Sequence, residues 1–132
     1  MTDIHRTRLI EGVPAPTGPW HWTVAWNGLV FVSGVRGIDP KTGQPADGDG
    51  RRIELIFQHL RQILEQAGSS FDCVLSSTVY VTDMARLRPI VNDAYVQAFG
   101  ANSPTRTIVQ VAALNQNDSV EIEVVAVKRN PA

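Results

Sequence analysis

The chain carries a single cysteine, Cys73, in 132 residues. A lone thiol excludes an intramolecular disulfide and any zinc site built from several cysteines. Long apolar runs are missing too. No stretch approaches the roughly 20 apolar residues of a membrane-crossing helix. Met1 to Glu11 mixes charge with isolated apolar residues, unlike a secretion signal. Neither sign of charge dominates: 12 Lys and Arg stand against 13 Asp and Glu, a net charge of −1. No basic run reaches even four residues. That balance gives no electrostatic case for nucleic acid or an anionic membrane. No G-x-S-x-G, Walker A or G-x-G-x-x-G pattern occurs, and Gly34-Val35-Arg36-Gly37 is too short to cradle a phosphate. His5, His21 and His59 lack metal-ligand spacing. Asn117-Asp118-Ser119 spells a glycosylation acceptor but reads as a polar turn. The expectation is a cytoplasmic protein without membrane or nucleic-acid partners.

What is present fits one packed domain spanning residues 1–132, with 43% apolar residues. Pro and Gly cut the chain into short pieces. Trp20 to Trp26 alternates, which predicts a strand with Trp20, Trp22, Val24 and Trp26 on one face. Asn27-Gly28 predicts a hairpin turn, returning through Leu29 to Ser33. Ile53, Ile56, Phe57, Leu60, Ile63 and Leu64 fall at offsets 0, 3, 4, 7, 10 and 11, one face of a helix. Gly68 stands where a terminating glycine belongs. On this pattern His59 belongs to the polar, solvated side. Val74 to Val81 reads as a strand. Asp83 can cap a second helix, starting near Leu87 or Arg88, with Pro89 in its first turn and Phe99 at its end. Its buried stripe would be Ile90, Val91, Ala94, Tyr95 and Ala98. Thr105 to Val111 and Val120 to Val127 complete the strands. This order predicts an α+β layer with both helices on one sheet face. In so small a chain, another subunit is the expected cover for the opposite face.

Several residues invite chemistry. Cys73, at a helix-to-strand junction, reads as a small buried residue rather than a nucleophile. Periodicity alone favours packing for the three tryptophans over an aromatic ligand wall. Arg106 heads an apolar strand. It is either a surface ion-pair partner or a clamp for a carboxylate, which the guanidinium fork matches with two hydrogen bonds. Glu121 and Glu123 share a face of the last strand. They form either an outward polar face or a site where a carboxylate holds or deprotonates water.

In order and spacing, a set of segments resembles the YjgF/Rid family, the reactive-intermediate deaminases. They are Pro14-Ala15-Pro16-Thr17-Gly18-Pro19, Val30-Phe31-Val32-Ser33-Gly34, Ile38-Asp39-Pro40-Lys41-Thr42-Gly43, Ile63-Leu64-Glu65-Gln66-Ala67-Gly68-Ser69-Ser70, Thr78-Val79-Tyr80-Val81-Thr82-Asp83-Met84, Val91-Asn92-Asp93-Ala94-Tyr95, Pro104-Thr105-Arg106-Thr107, Val109-Gln110-Val111-Ala112-Ala113-Leu114 and Val120-Glu121-Ile122-Glu123. The resemblance runs from about Pro14 to Val127. It implies a chorismate-mutase-like α+β fold with about six strands in a mixed sheet, two helices on one face, and a homotrimer whose sheets form a barrel. Ligand sites would lie between subunits.

The implied activity is hydrolysis of 2-imino acids, or their enamine tautomers, to 2-keto acids and ammonia, with no metal or organic cofactor. By resemblance, Arg106 binds the substrate carboxylate and Glu121 positions the water. Gly34 and Ile108 present backbone groups to the ligand. The departures are Trp20 where the family commonly has tyrosine, Trp22 for a usual glutamine, and Val35 for a glutamine common after Ser-Gly. An indole N–H donates a hydrogen bond but cannot accept one or relay a proton. The substitutions shift Trp20 towards a pocket wall and imply a bulky or apolar substrate, while Trp22 could equally fill the trimer core. The alternatives are a non-catalytic binder of small carboxylates and a pathway-specific deaminase or hydrolase of aromatic-compound degradation. A nuclease role, attributed to some relatives, fits poorly with the net charge of −1.

Overall fold

The computed structural model describes residues 3–129. In chain order the elements are β1 (His5–Thr7), β2 (Thr23–Trp26), β3 (Leu29–Val35), α1 (Asp49–Gln66), β4 (Val74–Val81), α2 (Met84–Phe99), β5 (Thr105–Gln110) and β6 (Val120–Val127). The strands form one six-stranded sheet in the order β1-β2-β3-β6-β4-β5. The β4–β5 pair is parallel, and the other pairings are antiparallel. Helix α1 packs on β3 and β6, and α2 on β4 and β5. The expected mixed sheet with both helices on one face is therefore present.

Alternation in β6 builds the core. Val120, Ile122, Val124 and Ala126 are buried, while Glu121, Glu123, Val125 and Val127 turn to the other face. Val30 and Val32 of β3, and Val79 and Val81 of β4, join the same core. Against them α1 presents Ile53, Ile56, Leu60, Ile63 and Leu64. Helix α1 ends in a paired-bond cap. The Gly68 N–H donates to Glu65 O and the Ser69 N–H to Leu64 O, with Gly68 at φ 77°. That left-handed backbone is what glycine tolerates.

Several expectations need correction. The first long strand begins at Thr23, not Trp20. The Trp20 N–H turns back onto Gly18 O at 2.9 Å, and this tight turn around Pro19 interrupts the extended chain. The three tryptophans consequently do not share a face: Trp22 is buried, Trp20 half-buried and Trp26 43% exposed at the hairpin. The turn itself is as expected, with Asn27 and Gly28 both at positive φ. Helix α2 starts at Met84, earlier than Pro89 led us to expect. The Asp83 side chain accepts from the Arg86 N–H at 3.1 Å, and Pro89 lies on the exposed side, inside the helix. Cys73 is half-buried at the end of a single 3₁₀ turn, Phe71–Cys73. Strand β1 had no sequence signal.

Urea unfolding tests the cap and the core packing. Asp83→Ala should cost about 1 kcal/mol, the value of one helix cap. Leu60→Ala, in the fully buried seam, should cost about 2–5 kcal/mol.

Candidate functional site

A cavity of about 580 Å³ opens beside the junction of β3 and β6, and its lining includes Trp20, Ser33, Gly34, Arg36, His59 and Glu121. Its geometry starts from a bulge. The pairing of β3 with β6 slips between Val32 and Val35. An extra residue there reverses the strand's parity, so Val30, Val32 and then Val35 are buried. Gly34 lies inside the bulge. A Cβ at Gly34 would stand 2.7 Å from Cδ of Glu121, so the missing side chain is the space the carboxylate occupies.

The two glutamates of β6 differ in their partners. Glu123 accepts a short hydrogen bond from the Tyr80 hydroxyl, and the Tyr80 pKa is pushed up to about 12, chiefly by that bond. Among the described residues, no group hydrogen-bonds to the Glu121 carboxylate. Burial pushes the Glu121 pKa up; Arg36 opposes this, while Glu123 and Asp118 reinforce it. Glu121 is thus a partly desolvated carboxylate at the cavity wall, with its basicity raised by burial, a disposition suited to accepting a proton.

Arg36 sits beside it, with Nε 3.8 Å from Glu121 Oε1. Its Nη1 donates to Asp118 Oδ2 at 2.9 Å and to Asn115 O at 3.0 Å, and Nη2 donates to Gln116 Oε1 at 2.8 Å. Asp118 is fully buried at its side chain, and Arg52 Nη1 lies 3.6 Å from its other oxygen. Gln116 in turn donates to Gly43 O at 3.0 Å. The cluster ties the bulge of β3 to the loop before β6 and the loop after Ile38.

His59 corrects the sequence reading. It is 3% exposed, not solvated. Nε2 lies 2.9 Å from Ile38 O. A carbonyl only accepts, so Nε2 carries the hydrogen and Nδ1 is an acceptor; among the described residues that buried atom has no partner. Burial lowers the His59 pKa, Arg51 adds to this, and the Ile38 carbonyl opposes it.

Trp20 stands edge-on to Trp22, with ring centroids 4.9 Å apart. Trp22 is itself fixed by its indole N–H, which donates to Pro14 O at 2.9 Å. Trp20 therefore presents a braced aromatic wall to the cavity while its other side packs against the core.

Arg106 and Ile108 are elsewhere. Both lie on the edge strand β5, which is separated from β6 by β4. Two strand spacings amount to roughly 10 Å. Arg106 Nη1 donates to Asn92 Oδ1 at 2.8 Å, and its guanidinium lies 4.9 Å over the Tyr95 ring. The Tyr95 hydroxyl is braced against Ser77 Oγ at 2.9 Å, and burial raises its pKa. The chain thus brings Trp20, Gly34 and Glu121 together and holds Arg106 and Ile108 apart from them. Arg36 and His59 were missed as cavity residues, and Asp118 as the partner that holds Arg36. His59 had a signal: it follows Ile56 by three residues and precedes Ile63 by four, the spacing of the buried face.

The His59 environment predicts a pH dependence of stability. The folded state prefers the neutral ring, so below the unfolded value of 6.5 the unfolded chain binds more protons. Stability should be fully present above that pH and fall as the pH drops below it. Denaturant midpoints followed from pH 8 to pH 5 should slope less for His59→Gln than for wild type.

The family model for endoribonuclease L-PSP matches residues 11–128. A RutC family protein of Aquifex aeolicus is 38% identical over 117 residues, covering 87% of this chain and 93% of that one. The human 2-iminobutanoate/2-iminopropanoate deaminase is 34% identical over 126 residues, covering 95% and 91%. The crystal structure of RidA from an Antarctic Psychrobacter superposes with a TM-score of 0.87 at 31% identity, covering 93% of this chain and 99% of that one. The chain therefore belongs to the endoribonuclease L-PSP family, the YjgF/Rid family that its motifs resemble.

Proposed function

We propose that the protein hydrolyses 2-imino acids, or their enamine tautomers, to 2-keto acids and ammonia. The sites would be clefts shared between copies of the chain in a homotrimer. The observation that carries the reading is Glu121, a carboxylate partly removed from water that, among the described residues, accepts no hydrogen bond. The relative named 2-iminobutanoate/2-iminopropanoate deaminase supports the reaction class.

Arg106 and Ile108 are proposed to enter the cleft from a neighbouring copy. Their place on the edge strand, away from the cavity of their own chain, fits that role. Phe31, Leu75 and Val109 are 47%, 48% and 36% exposed, apolar surface suited to contact between copies.

In this reading Arg106 holds the substrate carboxylate with its guanidinium fork. Glu121 accepts a proton from water as the oxygen bonds to the imine carbon. The π pair of the C=N bond moves to nitrogen, which takes that proton from Glu121 and restores the carboxylate. The resulting carbinolamine then breaks its C–N bond. The hydroxyl proton passes through Glu121 to the departing nitrogen, giving ammonia and the ketone. The carbon's oxidation level does not change, so the reaction calls for no redox cofactor.

Trp20, in place of the tyrosine usual in the family, favours a bulky or apolar side chain on the substrate. That includes intermediates of aromatic-compound degradation. It also supports a second reading, a carboxylate-binding protein without turnover, because an indole cannot relay a proton. The net charge of −1 and the absence of a basic run make nucleic acid a poor partner. Among the described residues no helix is long and apolar enough to cross a membrane. We place the protein in the cytoplasm.

An amino-acid oxidase can generate imines of alanine, leucine and phenylalanine in the presence of semicarbazide as trap. Wild type should lower the semicarbazone yield, most strongly for phenylalanine. Arg106→Ala should abolish the effect, and Glu121→Gln should lower kcat/KM by about 100-fold or more. Gly34→Ala should lose activity with little loss of fold, because its Cβ displaces the Glu121 carboxylate. A folded protein that binds 2-keto acids but leaves the semicarbazone yield unchanged would establish the binding reading. Fastest turnover of the alanine-derived imine would refute the apolar-substrate preference.

A further inference from the structure

We propose that Arg36 is a positioning residue for Glu121: clamped by Asp118, Asn115 and Gln116, it keeps a fixed positive charge beside the carboxylate without occupying either oxygen. The inference rests on the deaminase reading for its catalytic consequence, but not for its electrostatic one.

The argument lies in where the donors of Arg36 go. A guanidinium free to move would close on a neighbouring carboxylate in a forked pair, which consumes both oxygens and quenches their basicity. Here both terminal nitrogens are spent elsewhere, on Asp118 Oδ2, Asn115 O and Gln116 Oε1 at 2.8–3.0 Å. The contact left for Glu121 is Nε at 3.8 Å, beyond hydrogen-bonding reach but close enough for charge. Asp118 is completely buried and also receives the Ser119 N–H at 2.7 Å, so the clamp is rigid on its far side.

Glu121 faces charges from several elements. Arg36 comes from the bulged end of β3, Glu123 from β6 itself and Asp118 from the loop before it. Tyr80 lies opposite on β4, where the Glu121 charge helps to raise its pKa. Asp39 and His59 line the same cavity. Of these, Arg36 is the cation beside the carboxylate. It offsets the burial and the two acidic neighbours that favour the protonated acid.

The test is the titration of the Glu121 carboxyl carbon by ¹³C NMR in the full chain, assigned with Glu121→Gln. Imine hydrolysis is measured on the same samples. Arg36→Gln should move the Glu121 midpoint to higher pH. Arg36→Lys, which keeps the charge but loses the fork, should leave it near wild type. The acid limb of kcat/KM should move up with the midpoint in Arg36→Gln. Activity at neutral pH should then fall about tenfold and recover at high pH.

An unmoved midpoint in Arg36→Gln, or equal changes in the Lys and Gln variants, would make Arg36 a structural staple only and overturn the proposal. If Arg36→Gln fails to fold, Gln116→Ala carries the test, because it releases Nη2 without changing the charge around Glu121. Arg36 can then close on Glu121, so the midpoint should fall, and a rise or no change overturns the proposal. A shifted midpoint in a protein without imine hydrolysis would uphold the Arg36–Glu121 coupling and refute the deaminase reading instead.

Discussion

Strand β6 is paired along both edges, with β3 on one side and β4 on the other. Its period of two sends Val120, Ile122, Val124 and Ala126 into the helix layer and Glu121 and Glu123 the opposite way. A slip of one residue would exchange the two sets, burying carboxylates among Ile56, Leu60 and Ile63 and stranding four apolar residues outside. The hydrophobic effect that forms the core therefore also fixes where the Glu121 carboxylate stands. The bulge at Gly34 is the matching device on β3. It lets that strand satisfy the core on both sides of the irregularity while leaving room for Glu121 at its centre.

The site is a balance of desolvation and charge. Burial and two acidic neighbours favour the protonated form of Glu121, and a restrained arginine favours the ionised one. The buried carboxylate of Asp118 makes the restraint possible. It is acceptable in the interior because Arg36, Arg52 and the Ser119 N–H surround it. Removing a single partner would leave a buried charge uncompensated, so the cluster behaves as a unit. Across the sheet, Arg106 is arranged on different terms. Among the described residues, one hydrogen bond and the face of Tyr95 hold it.

Much of this was legible in the sequence, for a physical reason in each case. The helices followed from apolar spacing, Gly68 and Asp83; β4 and β6 followed from alternation, and the hairpin from Asn27-Gly28. Elements fixed by a partner rather than by their own pattern were not legible. Strand β1 exists because β2 offers it an edge. The tryptophan strand fails because a turn at Pro19, invisible to periodicity, interrupts it. His59 was read by its polarity, whereas its helical position buries it and Ile38 O satisfies one nitrogen. Arg36 and Asp118 are 82 residues apart in the chain, and nothing local announces their pairing. Motif resemblance singled out Arg106 and Glu121 individually. That one chain holds them apart emerged only with the topology.

Mixing of two inactive variants tests the central proposal, one site built from two copies, most directly. Arg106→Ala and Glu121→Gln would be purified separately, unfolded and refolded together, and assayed for imine hydrolysis. If each cleft takes its arginine from one copy and its glutamate from the next, mixed assemblies contain some clefts with both native residues. The refolded mixture should then recover a substantial part of wild-type activity, while each variant refolded alone stays inactive. A mixture that assembles and remains as inactive as its parents would contradict the shared site.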